Sequence, residues 1–157
     1  MTFLRIGLQR FLKRKILSHL PDINLWIALT FSAHPHHQQA AKWFDKQPTG
    51  SCSFCRMTQQ GYLRLISNAK IFGKDAQTLP KAWKSFDTLM SDERVVFRAE
   101  PDTVEQEWRL LTGKKQFSAK IWNDAFLAAF AKQGGLKLVT FDKGFRRYSG
   151  LSLTLLR

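Results

Sequence analysis

Short apolar runs alternate with longer helical stretches from residue 16 onward, and two of those runs stop at an aspartate. The pattern predicts strands over 16–21, 51–54, 94–98, 137–141 and 151–156. Between them it predicts helices over 24–31, 35–46, 57–67, 79–90, 101–111 and 124–133. Local punctuation agrees: Pro80 and Pro101 stand where a first helical turn favours proline, and Gly134-Gly135 is a helix-stop signal. Residues 112–120 read as a basic loop holding Gly113, Lys114, Lys115 and Lys120. Such alternation specifies an α/β fold, three-layered α/β/α, with a central, mostly parallel five-stranded sheet covered on both faces. A chain of 157 residues with 44% hydrophobic content suits one folded domain, placed at 16–157.

The aspartates then gain a location. Asp22 ends the first apolar run, Asp142 ends the run 136–141, and Asp124 opens the helical stretch that leads into that run. In an open parallel sheet, strands end and helices begin along one edge, and ligands gather in the crevice there. Singly, each aspartate has a plain structural role: a turn, a helix-terminus partner or the start of Asp142-Lys143-Gly144. Together on one edge they predict a carboxylate cluster. The chain around them carries 25 Lys and Arg against 12 Asp and Glu, a formal charge of +13. A carboxylate cluster in a basic protein points to a divalent metal, Mg²⁺ or Mn²⁺, acting on a polyanion.

Residues 1–15 hold Arg5, Arg10, Lys13, Arg14 and Lys15 and no acid, and read as a basic amphipathic N-terminal extension. A short docking helix, or an upstream start, outweighs an RNA-binding or membrane-surface arm. No apolar run approaches the roughly 20 residues that span a bilayer, and two cysteines do not make a disulfide scaffold. The expected location is the cytoplasm, without membrane association.

Other constellations take blander readings. Cys52 and Cys55 have zinc-like spacing but no second pair, and read as buried thiols. His34, His36 and His37 read as solvated imidazoles at a helix start, and His19 as a satisfied core or edge histidine. Trp26, Trp43, Phe126 and Phe130 fall on inner faces. Trp122, beside Asp124, is placed at the crevice mouth where it could stack on RNA. Arg56, Arg64, Lys120 and Lys143 are candidate phosphate contacts, Arg64 with the alternative of pairing to a site carboxylate.

Five segments carry a family resemblance. Leu20-Pro21-Asp22-Ile23-Asn24-Leu25-Trp26-Ile27-Ala28-Leu29 resembles the opening motif of PIN-domain ribonucleases, specifically the VapC-like toxins of toxin–antitoxin pairs. His34-Pro35, His37, Ala40, Ala41 and Trp43 are similar to the family's next helix. Phe54-Cys55-Arg56-Met57-Thr58-Gln59-Gln60-Gly61-Tyr62-Leu63-Arg64-Leu65 resembles the third motif. Trp122-Asn123-Asp124-Ala125-Phe126-Leu127-Ala128-Ala129-Phe130-Ala131 and Leu138-Val139-Thr140-Phe141-Asp142 resemble the last two. In order and over 16–157, five short motifs are more specific than any one.

The resemblance implies a metal-dependent endoribonuclease, the toxin of a pair, cutting tRNA or ribosomal RNA. It also implies a homodimer restrained by a cognate antitoxin protein. Asp22 and Asp124 would bind the metal directly. Asp142 would hold a second metal, a metal-bound water or the attacking water, with Asn24 and Thr140 in support. One position departs: many PIN domains carry Glu where this chain has Gln59, which offers a carbonyl oxygen but no charge. That weakens the case for two tightly held metals and sustains an alternative, a catalytically decayed PIN-like RNA-binding or assembly module. An aspartate-nucleophile phosphatase ranks lower, because Asn24 stands where that chemistry wants a second Asp.

Overall fold

The computed structural model describes residues 17–157. The amphipathic extension expected over 1–15 lies outside them, as does residue 16 of the first expected strand. Five short strands form one sheet: β1 (His19–Pro21), β2 (Cys52–Phe54), β3 (Val95–Phe97), β4 (Lys137–Thr140) and β5 (Leu153–Leu155). Their order is β3-β2-β1-β4-β5, and every pairing is parallel. The chain walks outward from β1 through β2 to β3, then returns to the far side of β1 for β4 and β5. The strand order therefore reverses between β1 and β4, and that is where a crevice opens.

Seven helices connect and cover the strands among the described residues: α1 (Ile23–Thr30), α2 (His37–Phe44), α3 (Arg56–Ile66), α4 (Ala69–Phe72), α5 (Leu79–Met90), α6 (Val104–Leu111) and α7 (Ile121–Gly134). Successive strand residues point to opposite faces, so β4 serves two cores. Leu138 joins Leu20, Leu127, Phe130 and Phe145 on the α7 side. Val139 joins Leu25, Ala28 and Ala40 beneath α1 and α2. A third cluster, under α1, α3 and α5, is built on Trp26, Phe54, Tyr62 and Phe86, with Trp26 stacked on Phe54 at 4.0 Å. Burial on both faces explains why the central strands read as continuous apolar runs.

Element boundaries shift where local hydrogen bonding outranks sequence pattern. Helix α2 starts at His37, two residues later than expected, because the His37 amide closes a turn on the His34 carbonyl at 2.9 Å. Helix α6 starts at Val104 rather than 101, after a turn from the Val104 amide to the Pro101 carbonyl. Helix α7 begins at Ile121, so Asp124 lies inside its first turn instead of opening it. Gly135 ends α7 in a left-handed conformation, φ +63°, as the Gly-Gly signal predicts.

Both cysteines are free and buried. Burial pushes the Cys52 thiol up to about 11. Cys55 caps α3: its amide donates to Thr58 Oγ1 at 3.0 Å, and Thr58 returns its proton to Cys55. The expectation of a satisfied His19 does not hold. The ring is buried edge-on against Trp43 at 5.3 Å, and its Nδ1 has no hydrogen-bond partner among the described residues. Burial, and then Lys137, hold its pKa below the ordinary imidazole value.

Candidate active site

The site grows out of the junction of β1 and β4. The Asp22 amide donates to the Val139 carbonyl at 2.8 Å, which pins the end of β1 to β4. Asp22 then caps α1, its Oδ1 accepting from the Ile23 amide at 2.7 Å. Its other oxygen is held from β4, where Thr140 Oγ1 donates to Asp22 Oδ2 at 2.8 Å. Thr140 is fully buried and accepts in turn from Asn24 Nδ2 at 3.1 Å and from the Asp142 amide at 3.0 Å. Asp142 Oδ1 accepts from the Gly144 amide at 2.7 Å, fixing the turn beyond β4. One hydroxyl thus ties together Asp22, Asn24 and the backbone of Asp142.

Asp124 enters this field from the first turn of α7. Burial, and then the negative charge of Asp142, raise its pKa, against an opposing pull from Arg147. Asp22 is pushed up to about 6. Burial is the largest cause; the Thr140 and Ile23 bonds act against it, and the charges of Asp124 and Asp142 add to it. The structure therefore brings the three expected aspartates into one electrostatic group. Among the described residues, no Lys, Arg or His forms an ion pair with any of them.

Carboxylates that repel one another and form no ion pair among the described residues fit a cation. Mg²⁺ and Mn²⁺ take hard oxygens, and Mg²⁺ commonly binds one or two carboxylates while keeping waters and substrate oxygens. No group of three or more His, Cys, Asp or Glu among the described residues is placed to hold a metal by itself. The donor set suits a cation shared with water and substrate rather than a closed protein cage.

A groove of about 240 Å³ runs along Ile23, Met57, Gln60, Gly61, Arg64 and Asn123, next in sequence to Asp22 and Asp124. Gly61 makes the close approach of α1 and α3 possible: a Cβ there would lie 2.2 Å from Ile23 Cδ1. Arg64 faces this groove, and its alternative role fails, since no site carboxylate pairs with it. Gln59 is buried, and its carbonyl oxygen accepts from the Arg56 guanidinium, which also lies over the Phe97 ring at 4.9 Å. Gln59 and Arg56 are thus engaged with each other and not with the Thr140 network. Lys120 and Lys143 are exposed beside α7 and beyond Asp142.

Trp122 departs from its expected place at the mouth. It packs edge-on against Trp108 at 5.9 Å, its carbonyl accepts from Trp108 Nε1, and it lines a separate cavity with Glu105 and Arg109. His36 is exposed as expected, whereas His34 and His37 are half-buried. His37 Nδ1 lies 2.7 Å from the Ala28 carbonyl, and His36 stacks on Phe141 at 4.4 Å, next to Asp142. Sequence reasoning missed Tyr148. Its buried hydroxyl has no hydrogen-bond partner among the described residues, and burial followed by Asp124 raises its pKa. Its place six residues after Asp142 is the one trace it leaves in the sequence.

Known proteins resemble this arrangement. The model of the PIN domain matches residues 20–151. Ribonuclease VapC41 of Mycobacterium tuberculosis is 41% identical over 142 residues, 87% of this chain and 97% of that protein. Ribonuclease VapC38 of the same species is 29% identical over 80% of this chain and 85% of its own length. Among solved structures, VapBC2 of Rickettsia felis bound to promoter DNA covers 90% of this chain and 100% of its own, with TM-score 0.65 and 13% identity. Mycobacterium tuberculosis VapC20, a Sarcin-Ricin loop cleaving toxin, covers 85% of this chain and 96% of its own, with TM-score 0.60 and 17% identity. At those identities the two structures speak for the fold.

Proposed function

This chain belongs to the PIN-domain family, among the VapC ribonucleases, and on that premise we propose that it is the toxin of a toxin–antitoxin pair. Its reaction is endoribonucleolytic hydrolysis of RNA phosphodiester bonds at Asp22, Asp124 and Asp142. The observation that carries this reading is the Thr140-centred junction of Asp22 and the Asp142 backbone at the switch point of a basic protein, with Asp124 acting on the same carboxylates by charge.

Asp22 and Asp124 would hold Mg²⁺ or Mn²⁺. The cation would supply Lewis acidity at the phosphoryl oxygen and offset the charge of the cluster. Asp142, fixed by the Gly144 amide, orients the attacking water and takes its proton. Thr140 and Asn24 keep Asp22 in place, and Arg64 and Lys143 hold the RNA backbone. The substrate is tRNA or ribosomal RNA in the cytoplasm. No helix among the described residues is long and apolar enough to cross a membrane. A cognate antitoxin protein restrains the enzyme, a partner supported by the VapBC complexes among its structural neighbours, and the active form is a homodimer. The domain is 16–157, with 1–15 appended.

The second reading, an RNA-binding module without catalysis, is favoured by one observation: Gln59 lends its oxygen to Arg56 and no charge to the cluster. Induced expression separates the two. Wild type should arrest growth and create a discrete new RNA 5′ end, whereas Asp124→Asn should do neither. Equal effects of both proteins would establish the binding module.

A further inference from the structure

A second cavity, of about 500 Å³, lies between the end of α6, the loop that follows it and the segment after β4. Leu110, Leu111 and Ile121 give it an apolar wall, Lys114 and Arg147 give it two cations, and Tyr148 forms part of its lining. Among the described residues, no acidic residue lines it. Its volume falls within the range of small-ligand sites.

Two observations join this cavity to the carboxylates. Ile121 of its wall stands one turn before Asp124 on α7, and Arg147 and Tyr148 end the short helical turn that Asp142 caps. The Tyr148 hydroxyl is buried and has no hydrogen-bond partner among the described residues. Arg147 donates Nε to the Gly144 carbonyl at 3.0 Å, and its terminal nitrogens have no partner among the described residues.

We propose that this cavity holds one unpaired nucleotide of the RNA strand, next to the phosphate that is cut. The proposal rests on the ribonuclease reading. A flat base fits the apolar wall, and its phosphate lies between Lys114 and Arg147. Sequence-specific RNA recognition works on splayed, single-stranded bases of this kind. A pocket beside the cut then fixes base preference at a single position of the substrate. An acidic protein segment would match the two cations but not the apolar wall, which suits a base.

The test uses the full chain and two charge variants. Leu110 is 76% exposed and Lys114 is exposed, so Leu110→Glu and Lys114→Glu do not disturb the core. A fluorescein-labelled single-stranded RNA of random sequence is titrated in EDTA and read by anisotropy. Each variant should bind about tenfold more weakly, and Lys114→Glu should lower the salt slope by about one. In Mg²⁺, sequencing of cut ends from a randomised RNA pool should show a base preference at one flanking position for wild type. Leu110→Glu should lose that preference and keep the others. Unchanged binding and unchanged preference in both variants would overturn the proposal while leaving the ribonuclease intact. Unchanged RNA binding with lost binding of an oligoglutamate peptide would assign the cavity to an acidic protein segment and equally overturn it. A wild type that neither binds nor cuts RNA would sink the ribonuclease reading, and the nucleotide pocket with it.

Discussion

Thr140 has one hydroxyl proton, and the carboxylate of Asp22 takes it at 2.8 Å, while Asn24 and the Asp142 amide donate back to the same oxygen. Thr140→Val keeps the shape and leaves three groups without that partner. Losses of 10–100-fold are typical when the support of a metal ligand is removed, so cleavage should fall by about that factor. Thr140→Ser should restore most of it, and equal rates for Val and Thr would remove Thr140 from the site. Asp22 carries a pH signature as well. Its carboxyl keeps its proton to about 6 in the folded chain, against 3.8 as the ordinary value. Between those values the folded state binds more protons than the unfolded one, so rising pH lowers stability, by at most about 3 kcal/mol. The contribution is complete below the ordinary value and gone above about 6. In urea denaturation without divalent cation, wild type should lose stability relative to Asp22→Asn across that window, and millimolar Mg²⁺ should recover it at neutral pH. A constant difference between the two proteins would refute the shift. Asp22 and Asp142 were legible in the sequence because each follows a strand, and Asp124 because it falls in the first turn of a helix. Tyr148 was not, because a buried hydroxyl without a partner leaves no periodic trace.

Helix α1 can lie close to α3 because Gly61 has no Cβ to strike Ile23. Gly61→Ala forces Ile23 to move, and overpacking of this kind costs about 1–3 kcal/mol. Ile23 follows Asp22 and its amide holds Asp22 Oδ1, so the displacement reaches the site. The variant should lose cleavage by more than its midpoint shift in denaturant explains. Loss of stability with unchanged specific activity of the folded fraction would show α1 to be decoupled from the carboxylates. The elements themselves were readable to different degrees. All five strands announce themselves by apolar runs closed by an aspartate, a loop or a helix start, and strict alternation with helices makes their order parallel. Helix α4 escaped, since four residues show no period; Asn68 sets it by accepting from the Lys70 amide at 2.9 Å. The start of α7 was placed late because Ile121, Trp122 and Asn123 carry no conventional cap, and Lys120 stands at the cap position without a side-chain bond. The error moved Asp124 within its turn but not off the crevice.

The whole chain carries +13, yet its acidic group sits at the switch point, with Arg64 and Lys143 among the nearby cations. A polyanion is drawn by the total charge and placed by the local one. Arg64 lines the groove beside α3, Lys143 follows Asp142, and Lys114 and Arg147 line the cavity beyond α6. If these four meet phosphates of a single strand, each contributes to counterion release, and log K should fall with log salt at a slope of about −3. Arg64→Glu or Lys143→Glu should each lower that slope by about one. Lys81→Glu and Lys84→Glu make the control. They are exposed on α5, which packs against β3 at the edge of the sheet, two strands from the β1–β4 crevice. They change the net charge by the same amount but should leave the slope unaltered, with only a small uniform loss of affinity. Titrations of a labelled single-stranded RNA in EDTA across 50–300 mM salt, as an order-of-magnitude window, decide the matter. Equal slopes for crevice and α5 variants would mean that the protein attracts RNA by bulk charge without a defined track. Slopes reduced only by the crevice variants would place the strand across the junction of β1 and β4, where Thr140 holds Asp22 and the backbone of Asp142.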